Sequence, residues 1–153
     1  MFTLAKRTDS FIKLAISGCS GSGKTFSSLK LARGLTGNTG KVAVIDTENG
    51  SSRLYADLTE FYHADLAPPY EFRKFIEAVK QAERAGFDCV IIDSLSHLWQ
   101  GILDEKANLD RKGGNQYTNW SEPTKNLNET MQVILQSKIH VIACLRAKQE
   151  YVM

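Results

Sequence analysis

Little in this sequence suits a membrane, a secretory route or a metal cluster. No apolar run approaches the roughly 20 residues that cross a bilayer, and the N-terminal MFTLAKRTDS lacks the apolar core of a secretory signal, so no membrane association is expected. Cysteine is scarce. Cys19, Cys89 and Cys144 stand far apart, two of them inside apolar runs, which excludes a disulfide framework or zinc spacing and fits small buried thiols in a reducing cytoplasm. His63, His97 and His140 share no metal-ligand spacing. No block of like charge occurs, and a formal net charge of +2 is too small to announce nucleic acid by itself. Repeats and linkers are missing too. With 153 residues, 42% of them hydrophobic and 24% charged, the chain reads as one globular domain over residues 1–153.

What is present centres on Gly18-Cys19-Ser20-Gly21-Ser22-Gly23-Lys24-Thr25, which fits G-x-x-x-x-G-K-[ST], the phosphate-binding P-loop. An apolar run over residues 12–16 precedes it and a helical pattern, opened by Lys24, Thr25 and Phe26, follows. Strand, loop and helix are what the chemistry requires. A nucleoside triphosphate packs several negative charges into a small volume, and a concave row of backbone N–H groups at a helix N-terminus holds such an anion best. Gly18, Gly21 and Gly23 let the backbone close round the phosphates. Lys24 is placed to reach the β- and γ-phosphates and the Thr25 hydroxyl to ligate Mg²⁺, so ATP and Mg²⁺ are the expected ligands.

The remaining chain alternates strands with helices. Residues 1–10 suggest an edge strand ending at Thr8-Asp9, and residues 11–17 a buried strand. A helix to about Leu35 turns Phe26, Leu29 and Ala32 inward. Val42-Ala43-Val44-Ile45 is a β-branched run of a strand covered on both faces, delivering Asp46-Thr47-Glu48 at its end. Residues 51–55 suggest one helical turn and residues 60–64 a short strand. After Pro68-Pro69, the residues Phe72, Phe75, Ile76, Val79 and Ala82 recur at helical spacing until Gly86. Cys89-Val90-Ile91-Ile92-Asp93 is a second buried strand ending in an acid, and Leu95, Leu98, Trp99, Ile102 and Leu103 form the apolar face of the next helix, with Trp99 in the core. Residues 110–120, DRKGGNQYTNW, lose all periodicity and read as a long mobile loop. Ser121 is the expected N-cap of a helix containing Leu127, Met131, Ile134 and Leu135. Residues 139–145 form the last strand, and residues 146–153 a charged, β-tending tail. The pattern predicts an α/β three-layer sandwich: a mostly parallel sheet, helices on both faces, ligand at the strands' C-terminal edge.

Hydrolysis needs a carboxylate near Mg²⁺ and a group that orients water. Asp93 suits the first task, since an apolar strand ending in Asp sets a carboxylate beside the P-loop hydroxyl; the competing reading is a cap on the helix after Ser94. For the second there are two claimants. Alternate residues of an extended segment share a side, so Asp46 and Glu48 both face the phosphates, Thr47 points away, and one of the two acids is expected to be structural.

These motifs together resemble the RecA-like recombinase ATPases. In that family the strand after the P-loop helix ends Asp-x-Glu and is followed by Tyr-Ala, as Ile45-Asp46-Thr47-Glu48 and Leu54-Tyr55-Ala56 are here. The resemblance implies that Glu48 activates the water. It extends to Ile92-Asp93-Ser94-Leu95, similar to the family's Walker B segment, and to Leu145-Arg146-Ala147-Lys148, similar to its exit from the next core strand. The size, Gly50-Ser51 after the acids and the ending Arg-Ala-Lys-Gln-Glu-Tyr-Val look most like small phage-encoded RecA-core ATPases associated with single-strand annealing and recombination. A host cytoplasm is the compartment this implies. Two departures stand out. Ala143-Cys144-Leu145 replaces the family's γ-phosphate-sensing glutamine, and the sequence stops at Met153 before the further strands of larger relatives, so a core lacking C-terminal strands is expected.

In RecA-like proteins the loop after the Walker B helix meets single-stranded DNA, and residues 110–120 occupy that place. Arg111 and Lys112 suit phosphates, and Tyr117 and Trp120 suit base stacking, although Trp120 also suits a staple on the core. Arg146 and Lys148 suit a finger reaching a neighbouring subunit's nucleotide, or else a solvated strand end. The leading expectation is a homo-oligomeric Mg·ATP-hydrolysing ATPase acting on single-stranded DNA in recombination or repair. The alternatives are an ATP-binding scaffold or recombination mediator with little turnover, and a P-loop small-molecule kinase.

Overall fold

A computed structural model describes residues 2–5 and 10–148. Its elements, in order, are β1 (Lys13–Gly18), α1 (Lys24–Thr36), β2 (Val42–Asp46), a 3₁₀ turn (Ser51–Tyr55), β3 (Tyr62–Asp65), α2 (Phe72–Arg84), β4 (Cys89–Asp93), α3 (Ser96–Lys112), a 3₁₀ turn (Thr118–Trp120), α4 (Ser121–Gln136) and β5 (His140–Arg146). The strands form one sheet in the order β1-β5-β4-β2-β3, parallel throughout. The expected α/β sandwich with a parallel sheet is what forms.

The two-residue period of a strand divides the core into two layers. Val42, Val44, Cys89, Ile91, Ile142 and Cys144 meet Leu29 and Ala32 of α1 on one face. Ala43, Ile45, Val90, Ile92, Val141 and Ala143 meet Phe75, Val79 and Ala82 of α2, Leu98 and Ile102 of α3, and Ile134 of α4 on the other. Strands covered on both faces can afford no polar alternation, which is why β2 and β4 are apolar until their terminal acids. Burial pushes the thiols of Cys89 and Cys144 up to about 12 and about 11, so both remain protonated packing groups. Among the described residues no helix is long and apolar enough to cross a membrane.

Several local expectations are corrected. β1 is no buried strand: among the described residues it pairs only with β5, and alternate positions are exposed. Residues 2–5 take no regular structure, while Thr8-Asp9 and residues 149–153 lie outside the described residues. Phe26 points out of α1, 39% exposed, beside Tyr55 (ring centroids 6.4 Å apart) rather than inward.

The largest correction concerns residues 110–120. α3 continues through Lys112, because the Lys106–Asp110 pair bridges its last turns and Asn119 Nδ2 donates to Asp110 Oδ1 at 2.9 Å. The helix stops at Gly113, whose φ of 99° other residues avoid. Only residues 113–117 separate α3 from the next turn, and that turn runs straight into α4, so Ser121 makes no side-chain cap. The anchor is an aromatic stack. Trp120 lies on Trp99 of α3 (6.2 Å, 11° between planes), with Lys106 Nζ 5.2 Å from the Trp120 ring. Trp99 is consequently 48% exposed and serves as a platform outside the core. Leu135 is exposed as well; α4 buries Pro123, Asn126, Thr130 and Ile134, its two polar members satisfied by bonds from Asn126 Nδ2 to Glu105 Oε1 (2.7 Å) and from Thr130 Oγ1 to the Asn126 carbonyl (2.9 Å).

Candidate functional site

β1 ends at Gly18 and α1 begins at Lys24, so the chain must reverse within residues 19–23. Gly21 and Gly23 supply left-handed φ values of 76° and 87°. At Gly18 a Cβ would sit 2.5 Å from Ser22 Oγ, so only glycine fits where the loop folds onto itself. Gly23 offers α1 no side-chain cap, which leaves the first-turn N–H groups facing the loop's concavity. Lys24 folds back over the loop, its Nζ donating to the carbonyls of Gly18 (2.9 Å) and Cys19 (2.7 Å). A cation held only by neutral carbonyls is ready for a stronger acceptor.

The sheet order sets the acids. β5 lies between β1 and β4, yet the C-terminal ends of all three meet, and Thr25 Oγ1 donates to Asp93 Oδ2 at 2.5 Å. α3 starts at Ser96 without a side-chain cap, so Asp93 serves the loop hydroxyl rather than that helix. The Asp93–Ser94 peptide is cis. Burial pushes the Asp93 carboxyl above the usual carboxylate range; the Thr25 bond and Lys24 oppose this, while the charges of Glu48 and Asp46 add to it.

Asp46 and Glu48 do not share a side. The strand ends at Asp46, and Asn49 (φ 56°) and Gly50 (φ 78°) turn the chain. Asp46 becomes the hub of that turn, accepting from Ser52 N (2.9 Å), Ser52 Oγ (2.5 Å) and Glu48 N (2.7 Å), with His63 Nε2 at 3.3 Å. Burial would raise its carboxyl, but the bonds from Ser52, Glu48 and His63 outweigh burial and hold it below the ordinary value. Glu48 is the acid that reaches the cleft. Thr47 points the other way, its hydroxyl accepting from Ser94 N (2.7 Å) and lying 2.6 Å from His97 Nδ1. Tyr70 stacks on His97 (4.3 Å, 17°) and donates to the Thr47 carbonyl at 3.3 Å. Burial lowers the His97 pKa, with Arg146 adding to the effect against Glu48 and Asp93. Nothing local in the sequence marked Tyr70, His97 or Ser96: they converge only because α3 follows β4.

Ser20, Gly21, Gly23, Lys24, Thr25, Glu48, Ser51, Leu54, Tyr55, Asp93 and Arg146 together line a cavity of about 210 Å³. Loop N–H groups and two cations suit an oxyanion, and Leu54 and Tyr55 supply an apolar outer wall. Thr25 and Asp93 give a hard cation one hydroxyl and one carboxylate; among the described residues no cluster of three or more His, Cys, Asp or Glu forms a cage. That donor set fits Mg²⁺, which keeps waters and shares its shell with phosphate oxygens. Phe26 stands at the mouth outside this lining, and Ser22 is held in the loop by a bond from its N–H to the Cys19 carbonyl at 3.2 Å.

The other predicted residues are scattered. Arg111 and Lys112 end α3, Tyr117 is 89% exposed in the connector, and Trp120 is docked on Trp99, so the four do not form one loop surface. Lys148 is exposed beyond β5, whereas Arg146 turns into its own chain's cleft and pairs with Glu48. A family model described as an AAA domain matches residues 10–153. No curated protein matches the chain.

Proposed function

Since the chain belongs to the AAA domain family of P-loop ATPases, we propose that it binds Mg·ATP and hydrolyses it, and that single-stranded DNA in recombination or repair is the partner of a homo-oligomeric form. The observation that carries the first half is the convergence of Lys24, the Thr25–Asp93 pair and Glu48 on one glycine-built cleft. Thr25 and Asp93 would hold Mg²⁺, which supplies charge neutralisation at the β- and γ-oxygens. The loop N–H groups and Lys24 position the triphosphate, and Glu48 orients a water and accepts its proton as the oxygen bonds to the γ-phosphorus and ADP departs. Asp46 holds the turn that presents Glu48. Support for the DNA half is narrower: the RecA-like arrangement of motifs, with Arg111, Lys112 and exposed Tyr117 after the helix that follows Asp93.

One measurement tests both halves: phosphate release from Mg·ATP in water alone, with and without single-stranded DNA at low salt. Turnover that rises with DNA supports the whole reading. Binding of ATP without turnover under either condition would favour the scaffold, a reading consistent with Glu48 being engaged by Arg146.

A further inference from the structure

The cleft contains a second cation that binding of the β- and γ-phosphates by Lys24 does not account for. Arg146, the last residue of β5, lines the cleft with Lys24, Thr25 and Asp93 and pairs through Nη2 with Glu48 Oε2. Its backbone is pinned on both sides: the Arg146 N–H donates to Ser96 Oγ at 2.8 Å, and the Ala147 N–H donates to the Gly18 carbonyl at 3.1 Å. Only the side chain is free to move, and it is 48% exposed against 18% for Glu48. The guanidinium thus stands between the carboxylate that faces the cleft and the space beyond the loop.

We infer that Arg146 senses the γ-phosphate in cis: without nucleotide it occupies Glu48, and a bound γ-phosphate draws the guanidinium across and frees that carboxylate. This rests on the proposed reading of the cleft as a Mg·ATP site. An arginine fork matches a carboxylate and a phosphate equally well in shape, so charge decides the competition. The γ-phosphate carries more negative charge than one carboxylate and offers three oxygens, whereas ADP ends short of the guanidinium. A half-exposed ion pair in water is weakly held, which makes the exchange feasible. Lys24 undergoes the parallel exchange, leaving the carbonyls of Gly18 and Cys19 for phosphate oxygens. The consequence is that Glu48 becomes available only when there is a γ-phosphate to attack.

The experiment compares Mg²⁺-dependent binding of ADP and of a non-hydrolysable ATP analogue to the wild-type chain, Arg146→Gln, Arg146→Lys, Glu48→Gln and the Glu48→Gln/Arg146→Gln double variant. Arg146→Gln should lose about tenfold or more in analogue affinity, the scale of a charged hydrogen-bond pair, with ADP affinity nearly unchanged. Arg146→Lys, which keeps the charge but not the fork, should fall between. Glu48→Gln removes the competing carboxylate and should bind the analogue several-fold more tightly, a gain that vanishes in the double variant. A bridge with a structural role alone would shift both nucleotides alike, and that result would overturn the inference, as would a Glu48→Gln gain that persists without Arg146. If adding Lys24→Ala chains restores analogue binding to Arg146→Gln, the arginine acts between subunits and the cis assignment falls. Absence of any nucleotide binding to the wild-type chain would remove the Mg·ATP reading and this inference together, whereas binding with an unaltered ATP-to-ADP ratio in Arg146→Gln removes this inference alone.

Discussion

Lys24 gives its bonds to loop carbonyls and none to the core, so Lys24→Ala should weaken Mg·ATP binding and abolish turnover while leaving stability within about 0.5 kcal/mol. Undiminished phosphate release from that folded variant would contradict the P-loop assignment. Glu48→Gln should retain Mg·ATP yet turn it over at least ~100-fold more slowly, the scale of general-base catalysis; normal turnover there, with loss in Asp46→Asn, would assign the water to the other acid. The two buried acids should also respond to pH with opposite sign. Asp93 has a raised carboxyl, so across the window above the ordinary carboxylate value the folded chain keeps a proton that the unfolded chain has lost, and stability falls as pH rises. Asp93→Asn should therefore stabilise the nucleotide-free chain at neutral pH, an effect that fades in acid, while raising the Mg²⁺ requirement. Asp46 is held low, so its contribution is present above the ordinary carboxylate value and lost as pH falls through the lowered one. Asp46→Asn should cost about 1–3 kcal/mol at neutral pH, since it weakens bonds to Ser52 and Glu48. Urea unfolding of the three proteins from pH 3 to 8 checks both signs.

Among the elements, α2 is the most legible and α3 the least. Phe75, Ile76, Val79 and Ala82 recur at helical spacing and are all buried, and Phe75 at 1% exposure should cost about 3–5 kcal/mol on replacement by Ala, measured by urea unfolding. The end of α3 escaped periodicity because it is held by the Lys106–Asp110 pair and by Asn119, partners that no apolar pattern announces. Trp99 illustrates the same limit: its spacing suits the core, but the surface it covers is another tryptophan arriving from the turn before α4. Trp99→Ala should thus loosen the Thr118–Trp120 turn, removing about 0.5–1.5 kcal/mol of stacking beyond the area lost and reducing the near-ultraviolet circular dichroism of Trp120. An unchanged signal would mean the turn is held by Asn119 alone.

At the scale of the whole molecule, parallel strands bring the ends of β1, β2, β4 and β5 to one edge, where the P-loop, Glu48, Asp93 and Arg146 meet. The partner prediction belongs here. If single-stranded DNA accelerates hydrolysis, the affinity should fall with salt at about −0.7 in log–log slope per phosphate contacted, and Arg111 with Lys112 allow only a shallow slope per chain unless several chains contribute. Replacing both by Ala should flatten the slope and leave basal hydrolysis intact; Tyr117→Ala should lower DNA affinity by about 1–3 kcal/mol without altering the slope. Salt-independent binding would point away from the α3 terminus. By itself the sequence determined the loop, the buried strands with acids at their ends and the parallel α/β class, because each depends on local chemistry: glycine at left-handed φ, lysine beside it, apolar runs too short for anything but covered strands. Only the tertiary structure decided which acid faces the cleft, that Arg146 reaches Glu48 from 98 positions away, and that Tyr70, His97 and Ser94 gather round Thr47. These depend on strand order and on single turns such as residues 47–50, where a change of one backbone angle redirects a side chain and leaves the apolar pattern untouched.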